Sequence, residues 1–148
     1  MNIINMLTSQ KEVLTSLLEI LNKERDALIH EDIDDIVEFQ EKKIELKQKI
    51  DDIEENRQEI YGDKRLKEIL ESMKGQNRQK AEKLGSEVEE LAAEIIKIND
   101  INDMLVRQSL DYIRTMIDFL TPKKVTVYKS TGKVDSSAAP SSVINKSV

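Results

Sequence analysis

The sequence predicts an all-α protein, an elongated antiparallel hairpin or bundle of two long coiled-coil-like helices and a short connecting helix. Three observations predict it. Of 148 residues, 29 are acidic and 23 are basic but only 3% are aromatic, so a thick globular core is excluded. Neither Gly nor Pro occurs in residues 1–61 or 86–121, so very long helices can form there. Apolar residues recur every seven positions along both stretches, which is typical of helices that pack along a stripe.

The first predicted helix covers residues 3–60. Its first apolar series repeats every seven residues and consists of Leu7, Leu14, Leu21 and Leu28. The next series consists of Phe39, Leu46, Ile53 and Ile60, and it begins eleven positions after the last member of the first. An offset of eleven is seven plus four, a stutter, which unwinds a supercoil locally without ending a helix. We therefore expect one helix that straightens around residues 30–35.

A short connecting helix and a second long helix follow. Between Gly62 and Gly75, apolar residues at helical spacing predict a short helix over residues 64–74. The long helix over residues 76–120 carries six heptads in one register, from Leu84 to Phe119. Pro122 ends it, because the residue before a proline is pushed out of helical geometry.

Residues 121–148 are predicted to be a flexible polar tail behind a helical domain of residues 1–120. The tail contains six Ser and carries a net charge of plus four, whereas the residues before it carry minus ten. Such a composition buries too little apolar surface to fold alone, so we expect the tail to be disordered or to order with a partner. Residues 125–128 form a short strand-prone patch within it.

The sequence lacks the groups that catalysis and metal binding require. His30 is the single histidine and has no Ser in a strained turn near it, so a hydrolytic triad is excluded. The acidic run from His30 to Asp35 lacks the second histidine of an HExxH motif and the central glycine of an EF-hand. We interpret this run as a solvated stretch, with adventitious cation binding as the alternative. There is no cysteine and no phosphate-binding glycine loop, so we expect no enzyme activity, metal or cofactor.

Charge and hydropathy also limit the location and the partners. The acidic helical region repels nucleic acid. No apolar stretch approaches the roughly 18 residues of a membrane span, and no signal peptide is recognisable. The absence of cysteine is typical of a protein in a reducing compartment. We therefore expect a cytoplasmic protein that neither binds nucleic acid nor inserts into membranes.

These exclusions leave protein binding, and the end of the last helix carries the candidate surface. The candidate residues for binding a substrate protein are Leu105, Ser109, Tyr112, Ile113, Met116, Ile117, Phe119 and Leu120. They cover a wider arc than one coiled-coil seam, so part of this surface should stay available to a partner helix. Ordinary packing against the start of the first helix is the alternative.

Two asparagines, Asn99 and Asn102, are candidates for setting register or partner choice, since a polar residue at a coiled-coil seam often does so. Asn102 occupies a seam position. It can make an internal hydrogen bond to the first helix, or it can face a bound partner.

A family resemblance covers nearly the whole chain. In the first helix it is carried by Leu17, Leu18, Glu24, Ala27, Leu28, Asp32, Ile36, Phe39, Lys43 and Leu46. In the last helix and the tail it is carried by Asn99, Asn102, Leu105, Leu110, Tyr112, Thr126, Val127, Tyr128 and Gly132. With these residues in this order, the chain resembles the FlgN-type flagellar export chaperones, small cytoplasmic helical proteins that escort hook-filament junction proteins to the type III export gate.

The resemblance implies partners and roles. It implies that the end of the last helix and the segment after it bind the hook-filament junction proteins. It also implies that an aromatic residue just after that helix, here Tyr128, helps the loaded chaperone dock on the flagellar export gate. The alternative from another class is a structural coiled-coil homo-oligomer or adaptor without a chaperone role, and the heptads leave a homodimer open.

Overall fold

The computed structural model describes residues 2–121, which form four α-helices. In chain order these are α1 (Ile3–Ile29), α2 (Ile33–Tyr61), α3 (Leu66–Glu71) and α4 (Gly75–Leu120). Residues 2–121 contain no β-strand. The predicted all-α class, with long helices and a short connecting helix, is confirmed. None of the described helices combines the length and the apolarity needed to cross a lipid bilayer.

The predicted single helix over residues 3–60 is wrong, because α1 and α2 are separate helices. Glu31 has a φ of 57°, a left-handed conformation that a right-handed helix cannot include. The Asp32 amide donates to the Ala27 carbonyl at 2.9 Å, and the Glu31 amide points at the Leu28 carbonyl at 3.4 Å. This pair of bonds is the Schellman arrangement that satisfies carbonyls at a helix C-terminus. The offset in the heptads therefore marks a helix end.

A new helix starts immediately after the break. The Asp32 side chain caps α2 by accepting a hydrogen bond from the Asp35 amide at 3.3 Å. Asp34 and Asp35 lie in the first turn, where the helix dipole favours negative charge. The pKa of Asp35 is nevertheless raised, first by its side-chain hydrogen bond to Asp32 and then by the charge of that carboxylate.

The break makes residues 2–103 a bundle of three long helices. The Glu24 side chain near the end of α1 contacts Gln40 and Lys43 early in α2, while Tyr61 at the end of α2 packs on the core beside Ile3. The two helices are therefore antiparallel. α4 runs parallel to α1, since Lys11 pairs with Glu87 and the later residue Asn102 contacts Glu24.

The core of the bundle is small, in agreement with the composition. At one end Ile3, Leu7, Ile69 and Ala81 form a buried cluster, and each is at most 5% exposed. Met6 and Leu21 of α1 are also buried, whereas α2 has no buried residue. Gly62 at the end of α2 and Gly75 at the start of α4 have positive φ, which glycine adopts without strain.

The chain divides into two compact units, Met1–Asp103 and Met104–Val148, so the division falls within the range of α4. The predicted division into a domain of residues 1–120 and a tail of residues 121–148 stays a prediction. The strand-prone residues 125–128, including Tyr128, lie outside the described residues.

Candidate functional site

The candidate surface lies on the last part of α4, residues 105–120, within the second unit. This part of the helix ends at Leu120, as predicted, and the Thr121 amide donates to the Ile117 carbonyl at 2.9 Å. Pro122 follows in the sequence and has no N–H to extend the hydrogen-bond ladder.

Most of the predicted binding residues expose large apolar side chains. The exposed fractions are 64% for Tyr112, 49% for Ile113, 38% for Met116, 81% for Phe119 and 69% for Leu120. Leu105, Ser109 and Ile117 are partly exposed. Exposed large apolar groups that cluster on one surface are typical of a site for another protein.

The spacing of these residues places them in two adjoining rows along the helix. Tyr112, Met116 and Phe119 follow the i, i+4, i+7 spacing of one helix face. Ile113 and Leu120 have the same seven-residue spacing one position further on, which is the neighbouring row. We call these five residues the α4 apolar surface.

Val106 was not among the predicted residues, although it is 40% exposed and lies seven residues before Ile113 in the second row. Its seven-residue spacing to Ile113 was the available signal. Met104 is also exposed, at 58%, but it lies on the other side of the Tyr112 row, about 180° around the helix from Ile113.

Charged residues occupy the opposite side of this part of α4. Asp111 and Arg114 form an ion pair, with 3.6 Å between Oδ1 and Nη1. Arg107 and Asp118 fall on the same side by helical spacing. The last turns of α4 are therefore amphipathic, with an exposed apolar face and a charged back.

Packing of this surface against the start of the first helix stays the alternative prediction. Ile3 and Leu7 at the start of α1 are buried against Ala81, in the first turns of α4. The five side chains of the α4 apolar surface stay 38–81% exposed.

Asn102 lies in the interior of the first unit and is 2% exposed. Its Nδ2 donates to the Leu21 carbonyl at 3.0 Å and to Glu24 Oε1 at 2.9 Å. Both partners are acceptors, so they determine which end of the amide faces them. Asn99, one turn earlier, is exposed. Asn102 therefore makes the internal hydrogen bond to α1 that was one of its two interpretations.

Glu24 is the centre of this polar group and is also 2% exposed. Its Oε2 accepts from Gln40 Nε2 at 2.6 Å and lies 2.8 Å from Lys43 Nζ. Glu24, Gln40, Lys43 and Asn102, which we call the Glu24 cluster, join α1, α2 and α4. The burial of Glu24 was not predicted, because a glutamate on a long charged helix carries no local signal of being buried.

Within the part of the chain that the structure describes, no group of His, Asp and Glu side chains could hold a metal ion. The apolar composition of the α4 surface suits it to packing against another helix.

Comparison with known proteins identifies one relationship. The family model described as FlgN protein matches residues 1–136, which include all four helices. Searches of curated proteins and of solved structures found no match.

Proposed function

The chain belongs to the FlgN family of flagellar export chaperones, and from this premise we propose that it escorts hook-filament junction proteins to the flagellar export gate in the cytoplasm. The family consists of chaperones that bind flagellar proteins, and it is not a family of enzymes. The identity of the cargo and the delivery to the gate are our proposal.

The observation that supports the proposal is the α4 apolar surface. Tyr112, Met116 and Phe119 present one exposed row to solvent, and a second row lies beside it. Burying a large apolar side chain contributes about 1.5–3 kcal/mol, so a partner that covers several of them gains binding free energy. An amphipathic helix laid along the rows would cover both.

The mechanism follows from what a junction protein must avoid before export. Its assembly segments are amphipathic helices, which would pair with one another in the cytoplasm. A chaperone that offers a complementary helical face caps these segments and keeps the cargo monomeric. A cargo segment that folds as it binds loses conformational entropy, which lowers the affinity and makes release at the gate easier.

A pull-down tests the cargo assignment. The tagged chain is incubated with C-terminal segments of the hook-filament junction proteins from the same genome, and we expect retention of at least one. The double variant Tyr112→Ser/Phe119→Ser should retain much less of that segment. The matched control is Ile33→Ser/Ile44→Ser on α2, whose side chains are 70% and 69% exposed, and this variant should bind like the unmodified chain.

Two results would contradict the proposal. One is that the unmodified chain retains none of the segments. The other is that sedimentation shows a constitutive oligomer that the Tyr112→Ser/Phe119→Ser variant disrupts, which would support the structural homo-oligomer instead.

We also propose, from the family resemblance, that Tyr128 contributes to docking on the export gate. Tyr128→Ala should weaken binding of the loaded chaperone to the isolated cytoplasmic part of the gate, while binding of cargo in the same pull-down is unchanged. Equal losses in both assays would place Tyr128 at the cargo interface and overturn this role.

A further inference from the structure

A second candidate site lies in the first unit, at the end of the bundle where α1 starts and α2 ends. It is a cleft of about 360 Å³, within the range of ligand pockets. Its floor consists of Ile3, Met6, Leu7 and Ile69, which are 1–5% exposed and belong to α1 and α3. The cleft thus offers a rigid apolar base.

Gly85 on α4 lines the cleft and places no side chain in it. A Cβ atom at this position would lie 2.6 Å from Leu66 Cδ2, which is closer than side-chain atoms approach one another. Both residues line the cleft, together with Val88. Any larger residue at position 85 would therefore displace Leu66 or occupy part of the cleft.

The rim of the cleft carries three cationic side chains, one of which, Arg57, is already paired with Glu54. Arg57, Lys64 and Arg65 all line it. Arg57 Nη1 donates to the Lys64 carbonyl at 3.0 Å and so fixes the turn that carries the other two cations. No carboxylate of residues 2–121 forms an ion pair with the Lys64 or Arg65 side chain.

We propose that this cleft is a docking site for a short peptide segment of a partner protein, one that presents a large apolar side chain next to an acidic one. The apolar side chain fills the cleft above Ile3 and Ile69. The neighbouring carboxylate pairs with Lys64 and Arg65 at the rim. The site is separate from the α4 apolar surface, so the proposal stands whether or not the chain carries junction proteins.

The mixed charge of the rim favours a peptide over a lipid. Asp63 and Glu89 also line the cleft. Their carboxylates would repel a purely anionic headgroup, but they can accept hydrogen bonds from the amide N–H groups of a peptide. A peptide with one acidic residue therefore matches both charges of the rim.

Chemical-shift mapping on the full, isotope-labelled chain tests the proposal. The probe is the blocked tetrapeptide acetyl-Ser-Leu-Asp-Ser-amide. The comparison probes replace Asp with Asn, replace Leu with Ala, or substitute octanoate for the peptide. We expect the Leu-Asp peptide to shift the amides of Gly85 and Val88 and the methyl groups of Ile3 and Ile69. We expect it to bind more tightly than each comparison probe.

Two variants distinguish the contribution of the rim cations to binding from that of the apolar cleft. Lys64→Gln/Arg65→Gln removes two exposed cations and should weaken binding of the Leu-Asp peptide by about three- to tenfold, leaving binding of the Asn peptide unchanged. Gly85→Ala should weaken the binding of both peptides, because the added methyl group and the displaced Leu66 narrow the cleft. Unchanged spectra of the unbound chain outside the cleft show that each variant is folded.

Several results would overturn the proposal. They are equal binding of the Asp and Asn peptides, tighter binding of octanoate than of any peptide, and shifts on the last turns of α4 in place of the cleft. Absence of any shift at 10 mM peptide would also overturn it, because such a site would be too weak to dock a partner.

Discussion

Glu24 and Asn102 lie 78 positions apart in the chain, and their side chains are joined by a 2.9 Å hydrogen bond inside the bundle. The same carboxylate accepts a hydrogen bond from Gln40 and pairs with Lys43 of α2, so one acidic residue connects three helices. Helices that pack along heptad stripes can slide by one repeat and keep much of their apolar contact. A buried polar connection makes such a slip costly, and the Glu24 cluster therefore fixes the register of the bundle.

Asn102→Ala should destabilise the chain by about 1–3 kcal/mol, because it removes a donor from a buried carboxylate. Urea unfolding followed by circular dichroism measures this loss. The matched control is Asn99→Ala, one turn away and exposed, which should change stability by at most about 0.5 kcal/mol. Equal effects of the two substitutions would show that the Glu24 cluster contributes little to stability.

Glu31→Gly should stabilise the chain by about 1 kcal/mol, since glycine adopts the φ of 57° at the break without the strain that a Cβ atom causes. The control is Glu55→Gly, at an exposed position inside α2, where glycine should cost about 1 kcal/mol. Thermal melts of the two variants should therefore move in opposite directions. A lower melting temperature for Glu31→Gly would mean that α1 and α2 are continuous in solution.

Acid should weaken the contact between α1 and α4 through Glu87. The hydrogen bond from Lys11, at 2.6 Å, holds the pKa of Glu87 below its ordinary value of 4.5. A lowered pKa in the folded state means that the stabilisation is present above pH 4.5 and is lost as the pH falls through the lowered value. The urea midpoint of Glu87→Gln should therefore depend less on pH between 5 and 3 than that of the unmodified chain. Glu90→Gln, at an exposed position on the same helix, is the matched control.

Gly85 and Leu66 should be energetically coupled. In the middle of a helix, Gly→Ala contributes about 1 kcal/mol of stability through helix propensity alone. In the unmodified chain part of this gain is lost, because the new methyl group would meet Leu66 Cδ2. In a Leu66→Ala background Gly85→Ala should show the full gain. A double-mutant cycle measures the difference, and additive effects would mean that Leu66 moves aside without cost.

Local patterns in the sequence predicted much of the fold. The six heptads before Pro122 predicted α4 to its last residue, Leu120, and the two glycines predicted α3 between them. The break between α1 and α2 was missed although Asp32 is a good N-cap residue and two acidic residues follow it in the first turn. The uninterrupted apolar pattern on both sides outweighed that signal.

The candidate site was also predicted only in part. The rows of the α4 apolar surface follow from helical spacing, and the structure shows that these side chains are exposed. The burial of Glu24 and the cleft beside Gly85 depend on contacts between residues far apart in the chain. Periodicity within one helix cannot report such contacts, because many glutamates and glycines have similar local surroundings.

The parallel pairing of α1 with α4 also sets when the bundle can be completed during protein synthesis. Translation proceeds from the N-terminus, so α1 and α2 leave the ribosome before the part of α4 that contains Ala81 and Asn102 does. Until then Ile3 and Leu7 lack the helix that buries them, and Glu24 lacks its donor from α4. The nascent chain is consequently most vulnerable to proteases and to aggregation over this interval, and codons that slow the ribosome before residue 102 would prolong it.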